Sequence, residues 1–594
     1  MNRIAAQFAL LVLLAVGTCG LGSAAAATAA DDPRIDQDGR AAGVWAPPRH
    51  FDHLHMRLEI DIPDMEAKRF TALQTLKVKA QGSIRSRLVL NAREKVKIEA
   101  VTVNGAAAKF AHADGHLTIE LPVPANPGEE LSVETRYTAD EPSREGVGLN
   151  WFKGRPDRDP PQAAQIHSQG QAECNSYWFP CHDFPNERLT TELIVTVPEG
   201  FEVLSNGRRV ADETAAGRRT VHWLQDKPHP NYLVTLVVGQ FDSVELGGPE
   251  SARPGLPMPV FGPPGSKDDL ARVFGATPRM VAFFERYFDE PYPWDQYAQV
   301  IVRHFRWGGM ENTSCSTLND MAPGSKAGSE DDLISHELAH QWTGNLLTCK
   351  TWEHLWLNEG FATLAEWLWI EERDGPEAYT KAVRRALGMH SMTNMASAPA
   401  FAPMASNRYV DPDDLFTRPD DVYAKGGLVL HMLRRRLGPE VFRKGVALYI
   451  DQHRFSEVET DDLRKALEEV SGESLQRFFD QWTKQPGLPR LNISVEWDEG
   501  DKAVVAQIEQ TQTINGDNPA FAFTLPLHAV MPDGSVRVLD VAVDGKNTAA
   551  RFVLGSKPKI VEVDPQIHVA AAKITKGGLV KPAREPKTPA KSEP

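Results

Sequence analysis

The chain is predicted to be an α+β protein of several domains, with β-sheets in its N-terminal and C-terminal parts and mostly helices between them. Apolar and polar residues alternate early in the sequence, for example over residues 56–62. The alternation stops at Gly247-Gly248-Pro249 and returns after Gln485-Pro486-Gly487. A period of two is typical of half-buried strands and a period near 3.6 of helices, and Gly/Pro clusters interrupt both. The two breaks therefore divide the chain into three folded domains.

Residues 36–246 are expected to form an N-terminal β domain of packed or curved sheets. Leu117, Ile119 and Leu121 alternate with polar residues, as residues 56–62 do. Asn104-Gly105 follows a short apolar run and is a strong signal for a two-residue hairpin.

Residues 247–487 are expected to form a mostly helical middle domain. Residues 268–288 carry apolar side chains at helical spacing. Pro278 should split or kink this helix, because proline removes a backbone hydrogen bond and clashes with the preceding turn. Thr460 is expected to cap a later helix that begins with Asp461-Asp462-Leu463.

Residues 488–575 are expected to form a β-sandwich. Leu491, Ile493, Val495 and Trp497 alternate with polar residues, and Asp533-Gly534 is a second hairpin signal. Residues 576–594 are rich in Pro and Lys and are predicted to be a disordered tail.

Residues 1–30 are typical of an export signal. Arg3 gives a positive start, residues 9–16 are apolar, and Ala27-Thr28-Ala29 offers a cleavage site between small residues. The apolar run is too short to span a membrane, and no transmembrane anchor is expected elsewhere. A periplasmic or secreted protein is therefore expected, with a lipoprotein acylated at Cys19 as the alternative.

The charge of the chain bounds its partners. Asp and Glu number 80 against 65 Lys and Arg, giving a formal net charge of −15, which argues against nucleic acid as a partner.

The remaining cysteines are Cys174, Cys181, Cys315 and Cys349. These cysteines could form disulfides or be buried free thiols, and the sequence does not distinguish the two. It does not give the oligomeric state either.

His336-Glu337-Leu338-Ala339-His340 is the most informative motif of the chain. Two histidines four residues apart on a helix lie about 40° apart around its axis, because each residue advances by about 100°. Both imidazoles can therefore reach one metal ion, and Glu359 can supply a third ligand. Two nitrogens and one carboxylate leave a fourth position open, which is typical of a catalytic zinc site. Glu337 is placed to hold a water at that position and to accept its proton.

The surroundings of the motif favour this interpretation over a chance pair of histidines. Glu330-Asp331-Asp332 precedes the helix, where the helix dipole favours negative charge. Glu359 lies in a second helical segment. Glu366 follows it by two turns and could orient a ligating imidazole, and Asn358 is a further candidate for supporting the ligands.

Three landmarks together resemble the gluzincin aminopeptidases, the aminopeptidase N type, with features of the leukotriene hydrolase and aminopeptidase B branch. They are Gly308-Gly309-Met310-Glu311-Asn312, the HELAHQW and LNEGFA segments around the metal motif, and Tyr423-Ala424-Lys425-Gly426. The resemblance covers residues 45–575 and implies a thermolysin-like zinc catalytic domain for residues 247–487. Many members carry a large helical domain after the β-sandwich, whereas only about twenty residues follow it here, so a three-domain form with a more open cleft is expected.

The resemblance implies a role for each matching residue. One zinc ion is bound by His336, His340 and Glu359, and Glu337 is the general base. Glu311 binds the free α-amino group of the substrate, with Gln171 beside it where most members have a carboxylate, and Tyr423 stabilises the oxyanion. The substrate-binding residues also include Gly308, Gly309 and Met310.

The predicted function is a zinc-dependent aminopeptidase, which hydrolyses N-terminal residues from peptides by metal-activated water. The expected partners are peptides with a free N-terminus. The alternatives are a zinc endopeptidase, an epoxide hydrolase and a peptide-binding protein that keeps the metal. Pure binding would need neither Glu337 nor Tyr423.

Overall fold

The computed structural model describes residues 42–158, 161–320, 326, 328–396, 403–418, 420–516 and 518–580. The predicted export signal with Cys19, and residues 581–594 of the predicted tail, lie outside these ranges.

The N-terminal domain is built from antiparallel and mixed sheets, as the alternation predicts. Its strands are β1 (Phe51–Asp61), β2 (Arg69–Ala80), β3 (Arg85–Asn91), β4 (Val96–Val103), β5 (Ala106–Ala107), β6 (Phe110–Ala113), β7 (His116–Ala125), β8 (Glu130–Asp140), β9 (Ser143–Arg144), β10 (Val147–Phe152), β11 (Gln165–Gln169), β12 (Arg188–Pro198), β13 (Glu202–Ser205), β14 (Arg208–Ala215), β15 (Arg218–Pro230) and β16 (Leu236–Gly239). Short 3-10 helices cover Asn175–Tyr177, Asn231–Leu233 and, in the middle domain, Trp352–His354.

Eight strands form the main sheet in the order β14-β15-β12-β1-β2-β8-β4-β5. Met56, Leu58 and Ile60 of β1 are buried, while the residues between them are partly exposed, because successive side chains of a strand point to opposite faces. A three-stranded sheet, β3-β7-β6, and a five-stranded sheet, β13-β16-β11-β10-β9, complete the domain. Strand β11 ends two residues before Gln171, so this sheet positions one of the predicted site residues.

The middle domain is mostly helical. Its helices are α1 (Lys267–Phe274), α2 (Thr277–Phe288), α3 (Asp331–Ala339), α4 (Trp356–Asp374), α5 (Pro376–Ala396), α6 (Asp414–Thr417), α7 (Ala424–Leu437), α8 (Pro439–Gln452), α9 (Thr460–Ser471) and α10 (Gln476–Thr483). Its strands are β17 (Asp242–Glu245), β18 (Pro259–Gly262), β19 (Ala298–Ile301), β20 (Gly309–Met310), β21 (Cys315–Leu318), β22 (Leu347–Cys349) and β23 (Ser456–Val458).

Two local predictions for this domain have different outcomes. The helix predicted over residues 268–288 is split, and Pro278 lies in the first turn of α2, where its missing N–H costs nothing. The prediction that Thr460 caps α9 is wrong. The cap is Glu459, whose extended backbone forms a reciprocal capping box with Asp462, while the Thr460 hydroxyl accepts a hydrogen bond from Trp356 Nε1 at 3.0 Å.

A five-stranded sheet in the order β17-β18-β19-β21-β20 runs beside the helices, and β20 is its edge strand. The edge strand carries Gly309 and Met310 and pairs antiparallel with β21. An edge strand leaves backbone hydrogen-bonding groups without a strand partner. The segment predicted to bind substrate therefore lies where an extended peptide can approach.

The C-terminal domain consists of β24 (Arg490–Asp498), β25 (Ala503–Gln510), β26 (Phe523–Val530), β27 (Val536–Val543), β28 (Asn547–Val553), β29 (Ile560–Val563) and β30 (Ala572–Lys576). A four-stranded sheet, β28-β25-β24-β30, and a three-stranded sheet, β27-β26-β29, contribute buried side chains such as Ile493 and Leu527 to one core. Residues 576–580, assigned by sequence to the tail, continue from β30, and Leu579 is buried there.

No helix in the described part of the chain has both the length and the apolar character needed to cross a membrane.

Candidate metal centre and active site

Two helices bring the three predicted metal ligands together. His336 lies in the last turn of α3, His340 follows as its C-terminal cap, and Glu359 lies in the first turn of α4. The Nε2 atoms of His336 and His340 each lie 3.3 Å from Oε2 of Glu359. One ligand atom from each residue falls within 4.8 Å of the others, so a single ion could contact all three.

Hydrogen bonds on the far side of each ring orient the two imidazoles. Nδ1 of His336 lies 2.7 Å from Oε1 of Glu366, and Nδ1 of His340 lies 3.0 Å from the carbonyl oxygen of Thr343. Both partners accept, so each ring keeps a proton on Nδ1 and presents Nε2 as the atom that a metal would bind. Glu366 therefore lies where the sequence placed it.

The same residues shift one another's pKa values. Burial alone would raise the pKa of Glu359, but His340 and His336 hold it below its usual range. Burial alone would lower the pKa of His336, but Glu359 and Glu366 hold it well above its usual range. A dication replaces protons at such a site, because imidazoles must be neutral to ligate.

Contacts between helices fix the spacing of the ligands. Oδ2 of Asp331, at the start of α3, accepts hydrogen bonds from Trp369 Nε1 at 3.1 Å and Arg373 Nη1 at 2.6 Å, both near the end of α4. On its other side α4 crosses α7 through two glycines. A Cβ on Gly360 would lie 2.8 Å from the carbonyl carbon of Gly426, so only glycines permit this approach.

Glu337 points into the site beside the three ligands. Its side chain is buried, and its Oε2 has no hydrogen-bond partner among the described residues. A Cβ on Gly309 would lie 2.2 Å from Oε1 of Glu337, so the glycine of the edge strand leaves room for the carboxylate. Burial raises the pKa of Glu337 to about 8, although His336 and His340 lower it. A nearby dication would favour the ionised form.

The donor set fits Zn²⁺. Two imidazole nitrogens and one carboxylate oxygen are ligands that zinc takes in catalytic sites, where a fourth position stays open. The buried Oε2 of Glu337, without a partner in the described structure, is the kind of acceptor that a water at that position would satisfy.

A second buried carboxylate, Glu311, lies next to this group. It follows the edge strand β20, is 3% exposed, and accepts a hydrogen bond from Gln171 Nε2 at 3.2 Å. Burial raises the pKa of Glu311, and Glu359 raises it further, while His340 lowers it. The structure therefore brings together Gln171 of the N-terminal domain and Glu311 of the middle domain, as the sequence prediction requires.

Tyr423 stands at the N-terminus of α7, beside the metal group. Its ring lies 6.0 Å from the ring of His336, centroid to centroid. Burial, with the nearby carboxylates of Glu359, Glu311 and Glu337, raises the pKa of Tyr423 well above its usual value. The phenol therefore keeps its proton at ordinary pH and can donate it in a hydrogen bond.

Other candidates serve the site indirectly. Oδ1 of Asn358 accepts from the Cys349 N–H at 3.1 Å, and its Nδ2 donates to the Tyr232 hydroxyl at 3.3 Å, so Asn358 anchors the start of α4. Cys174, Cys181, Cys315 and Cys349 are free thiols in this structure.

Sequence reasoning missed Gln341, Asn345 and Tyr232. All three are buried polar residues that contact the segments carrying the site. Gln341 and Asn345 follow His340 closely, which is a local signal, whereas nothing in the sequence near Tyr232 indicates its partners.

The chain is similar to proteins of a known family. The model for the Peptidase M1 N-terminal domain matches residues 48–233, and the model for the Peptidase family M1 domain matches residues 273–482. The chain is 30% identical over 509 residues to aminopeptidase M1-C of Oryza sativa, covering 81% of this chain and 54% of that protein. It is 31% identical over 329 residues to glutamyl aminopeptidase of Homo sapiens, covering 53% and 33%.

The chain therefore spans about half the length, or less, of the curated relatives it matches. Both family models nevertheless match in order, and the metal-binding group and Glu311 lie within the second match. On this evidence the chain belongs to peptidase family M1, the gluzincin aminopeptidases.

Proposed function

We propose that the protein is a zinc-dependent aminopeptidase, which removes single residues from peptides with a free N-terminus. The observation that carries the proposal is the buried carboxylate of Glu311, held by Gln171 beside the metal-binding group. A carboxylate at this depth is costly to bury and favours a cationic partner. The ammonium of a peptide supplies one through charge-assisted hydrogen bonds.

His336, His340 and Glu359 would hold the zinc ion. When bound, Zn²⁺ acts as a Lewis acid that polarises the scissile carbonyl and acidifies water. Glu311 anchors the substrate ammonium, so that the first peptide bond lies at the metal group.

Glu337 accepts a proton from the attacking water, whose oxygen bonds to the carbonyl carbon. The Tyr423 hydroxyl donates a hydrogen bond to the carbonyl oxygen as negative charge develops there. Glu337 then gives the proton to the leaving nitrogen as the carbon–nitrogen bond breaks. The products are a free amino acid and a peptide shortened by one residue.

A zinc endopeptidase would use the same metal group but would not need the buried carboxylate at the amine position. A peptide-binding protein would need neither a base nor a hydroxyl aimed at the carbonyl. Glu311 therefore argues against the endopeptidase, and Glu337 argues against the peptide-binding protein.

The test measures zinc content and hydrolysis of a panel of aminoacyl anilides, each paired with its N-acetyl form. The parent protein should bind one zinc ion and cleave only the free-amine substrates. Glu337→Gln should keep the zinc and lose about a thousandfold in kcat, because the proton acceptor is gone. Glu469→Gln, an exposed change on α9, is the matched control. Equal turnover of free and blocked substrates would refute the exopeptidase.

We further propose that the protein is exported and is periplasmic or secreted, with residues 1–30 as the signal. Cell fractionation and the mass of the mature N-terminus test this. A mature chain starting at an acylated Cys19 would support the lipoprotein alternative, and a cytoplasmic full-length chain would refute export.

A further inference from the structure

We propose that Gln341 and Asn345 are positioning residues, which hold the main chain of Glu311 in register with the metal-binding segment. Through this register they would fix the distance between the substrate ammonium and the metal group. The inference rests on the proposed function. It adds the residues that determine how many amino acids are removed from the N-terminus in each cleavage.

Both carboxamides act on one atom. The backbone carbonyl oxygen of Glu311 accepts a hydrogen bond from Asn345 Nδ2 at 2.7 Å and another from Gln341 Nε2 at 3.2 Å. Gln341 directly follows the metal ligand His340, and the Asn345 N–H donates to the His340 carbonyl at 3.0 Å. Both donors therefore belong to the segment that carries the ligand.

Gln341 also holds the turn that follows Glu311. Its Oε1 accepts from the Ser314 N–H at 2.9 Å. The N-terminal domain closes the turn from outside, because Asn206 Nδ2 donates to the Thr313 carbonyl at 2.8 Å. Gln341, Asn345 and the residues of this turn are all buried, so water does not compete for these bonds.

The register matters because an aminopeptidase substrate is held at two points a fixed covalent distance apart. One point is the ammonium at Glu311 and the other is the scissile carbonyl at the metal group. A misplacement of about 1 Å between such points can cost about a hundredfold in rate. Two buried donors bonded to the Glu311 carbonyl oxygen would keep the displacement of Glu311 below this distance.

The test uses Asn345→Leu in the zinc-loaded enzyme. Leucine is close to asparagine in shape, and Oδ1 of Asn345 has no partner in the described structure, so the change removes one described side-chain hydrogen bond. We expect the KM for free-amine anilides to rise about tenfold, the effect of one buried hydrogen bond. The zinc content should not change, because zinc binding does not use Glu311.

Two further measurements separate positioning from a general structural role. Calorimetry of an amino acid amide binding to the Glu337→Gln protein should show a similar weakening when Asn345→Leu is added. In a Glu311→Ala background, Asn345→Leu should add no further rise in KM. Gln510→Leu is the control for loss of a buried carboxamide far from the site. Gln510 donates to two carbonyls in the β-sandwich, at 2.7 and 3.0 Å, and its Oε1 also accepts two hydrogen bonds, so the control removes more bonds than Asn345→Leu does.

An unchanged KM, a loss of zinc, or the same rise in the Glu311→Ala background would overturn the inference. Asn345→Ser serves if the leucine variant does not fold, because its hydroxyl is too short to reach the Glu311 carbonyl. Failure of the proposed function is distinguishable, since the parent protein would then not discriminate free from blocked substrates.

Discussion

Substitution of Gly309 by alanine tests the position of Glu337 without touching a titratable group. The new Cβ would lie 2.2 Å from Oε1, 2.5 Å from Cδ and 2.7 Å from Cγ of Glu337, whereas ordinary contacts begin at 3.4 Å. The carboxylate must therefore move by about 1.2 Å. Since a displacement of about 1 Å of a reacting group can cost about a hundredfold in rate, kcat should fall by about that factor.

The assay is steady-state hydrolysis of the best anilide substrate, together with zinc content and the midpoint of thermal unfolding. Gly309→Ala should keep its zinc, because Glu337 is not a ligand. Gly308→Ala should cost much less, since among the described residues its Cβ would meet only the Leu333 side chain, 3.1 Å from Cδ1 and 4.0 Å from Cδ2. Gly388→Ala in α5 is the control for the substitution itself, because outside the neighbouring helix backbone no described atom lies within 4 Å of the new Cβ. A zinc-loaded Gly309→Ala enzyme with full kcat would refute either the packing or the role of Glu337.

Three further outcomes are expected. Zinc added to chelator-treated protein should raise the midpoint of thermal unfolding. At a zinc concentration of a hundred times the Kd the gain in unfolding free energy is about 2.7 kcal/mol, and Glu359→Ala should abolish it. Glu366→Gln should weaken zinc binding at least about tenfold in a competition titration, because the Nδ1 proton of His336 loses an ionised acceptor at 2.7 Å. Lys425→Met should lower the unfolding free energy in urea by about 3 kcal/mol, because it strands the buried Asp420 carboxylate 2.6 Å away, and Asp420→Leu in the same chain should recover most of the loss.

The ligand set could be predicted because its chemistry is local. His336 and His340 share one helical motif, and the spacing of side chains on a helix follows from its geometry. Glu359 lies nineteen residues later, in a segment whose helical pattern is equally local. The sheets could be predicted for the same reason, since alternation needs only near neighbours in sequence.

The rest depends on contacts that no local pattern encodes. Gln171 and Glu311 meet although they are 140 residues apart in sequence. Gly360 and Gly426 have no local need for glycine in a helix, and only the crossing of α4 and α7 explains them. The sequence predicts the cap of α9 one residue too late. Thr460 resembles a cap, but its hydroxyl accepts a hydrogen bond from Trp356, which is distant in sequence, and Glu459 is the cap.

The N-terminal and middle domains contribute different residues to the site, and this bears on which peptidase activity the chain supports. The metal group and Glu337 lie wholly in the middle domain. The N-terminal domain supplies Gln171 to the proposed amine site. Its Tyr232 hydroxyl donates to the Gly344 carbonyl at 3.3 Å and accepts from Asn358 at 3.3 Å. An endopeptidase needs only the first set of contacts, whereas selection of a free N-terminus needs both. In this chain the proposed exopeptidase selectivity therefore arises at the interface between two domains, and the metal motif alone could not have indicated it.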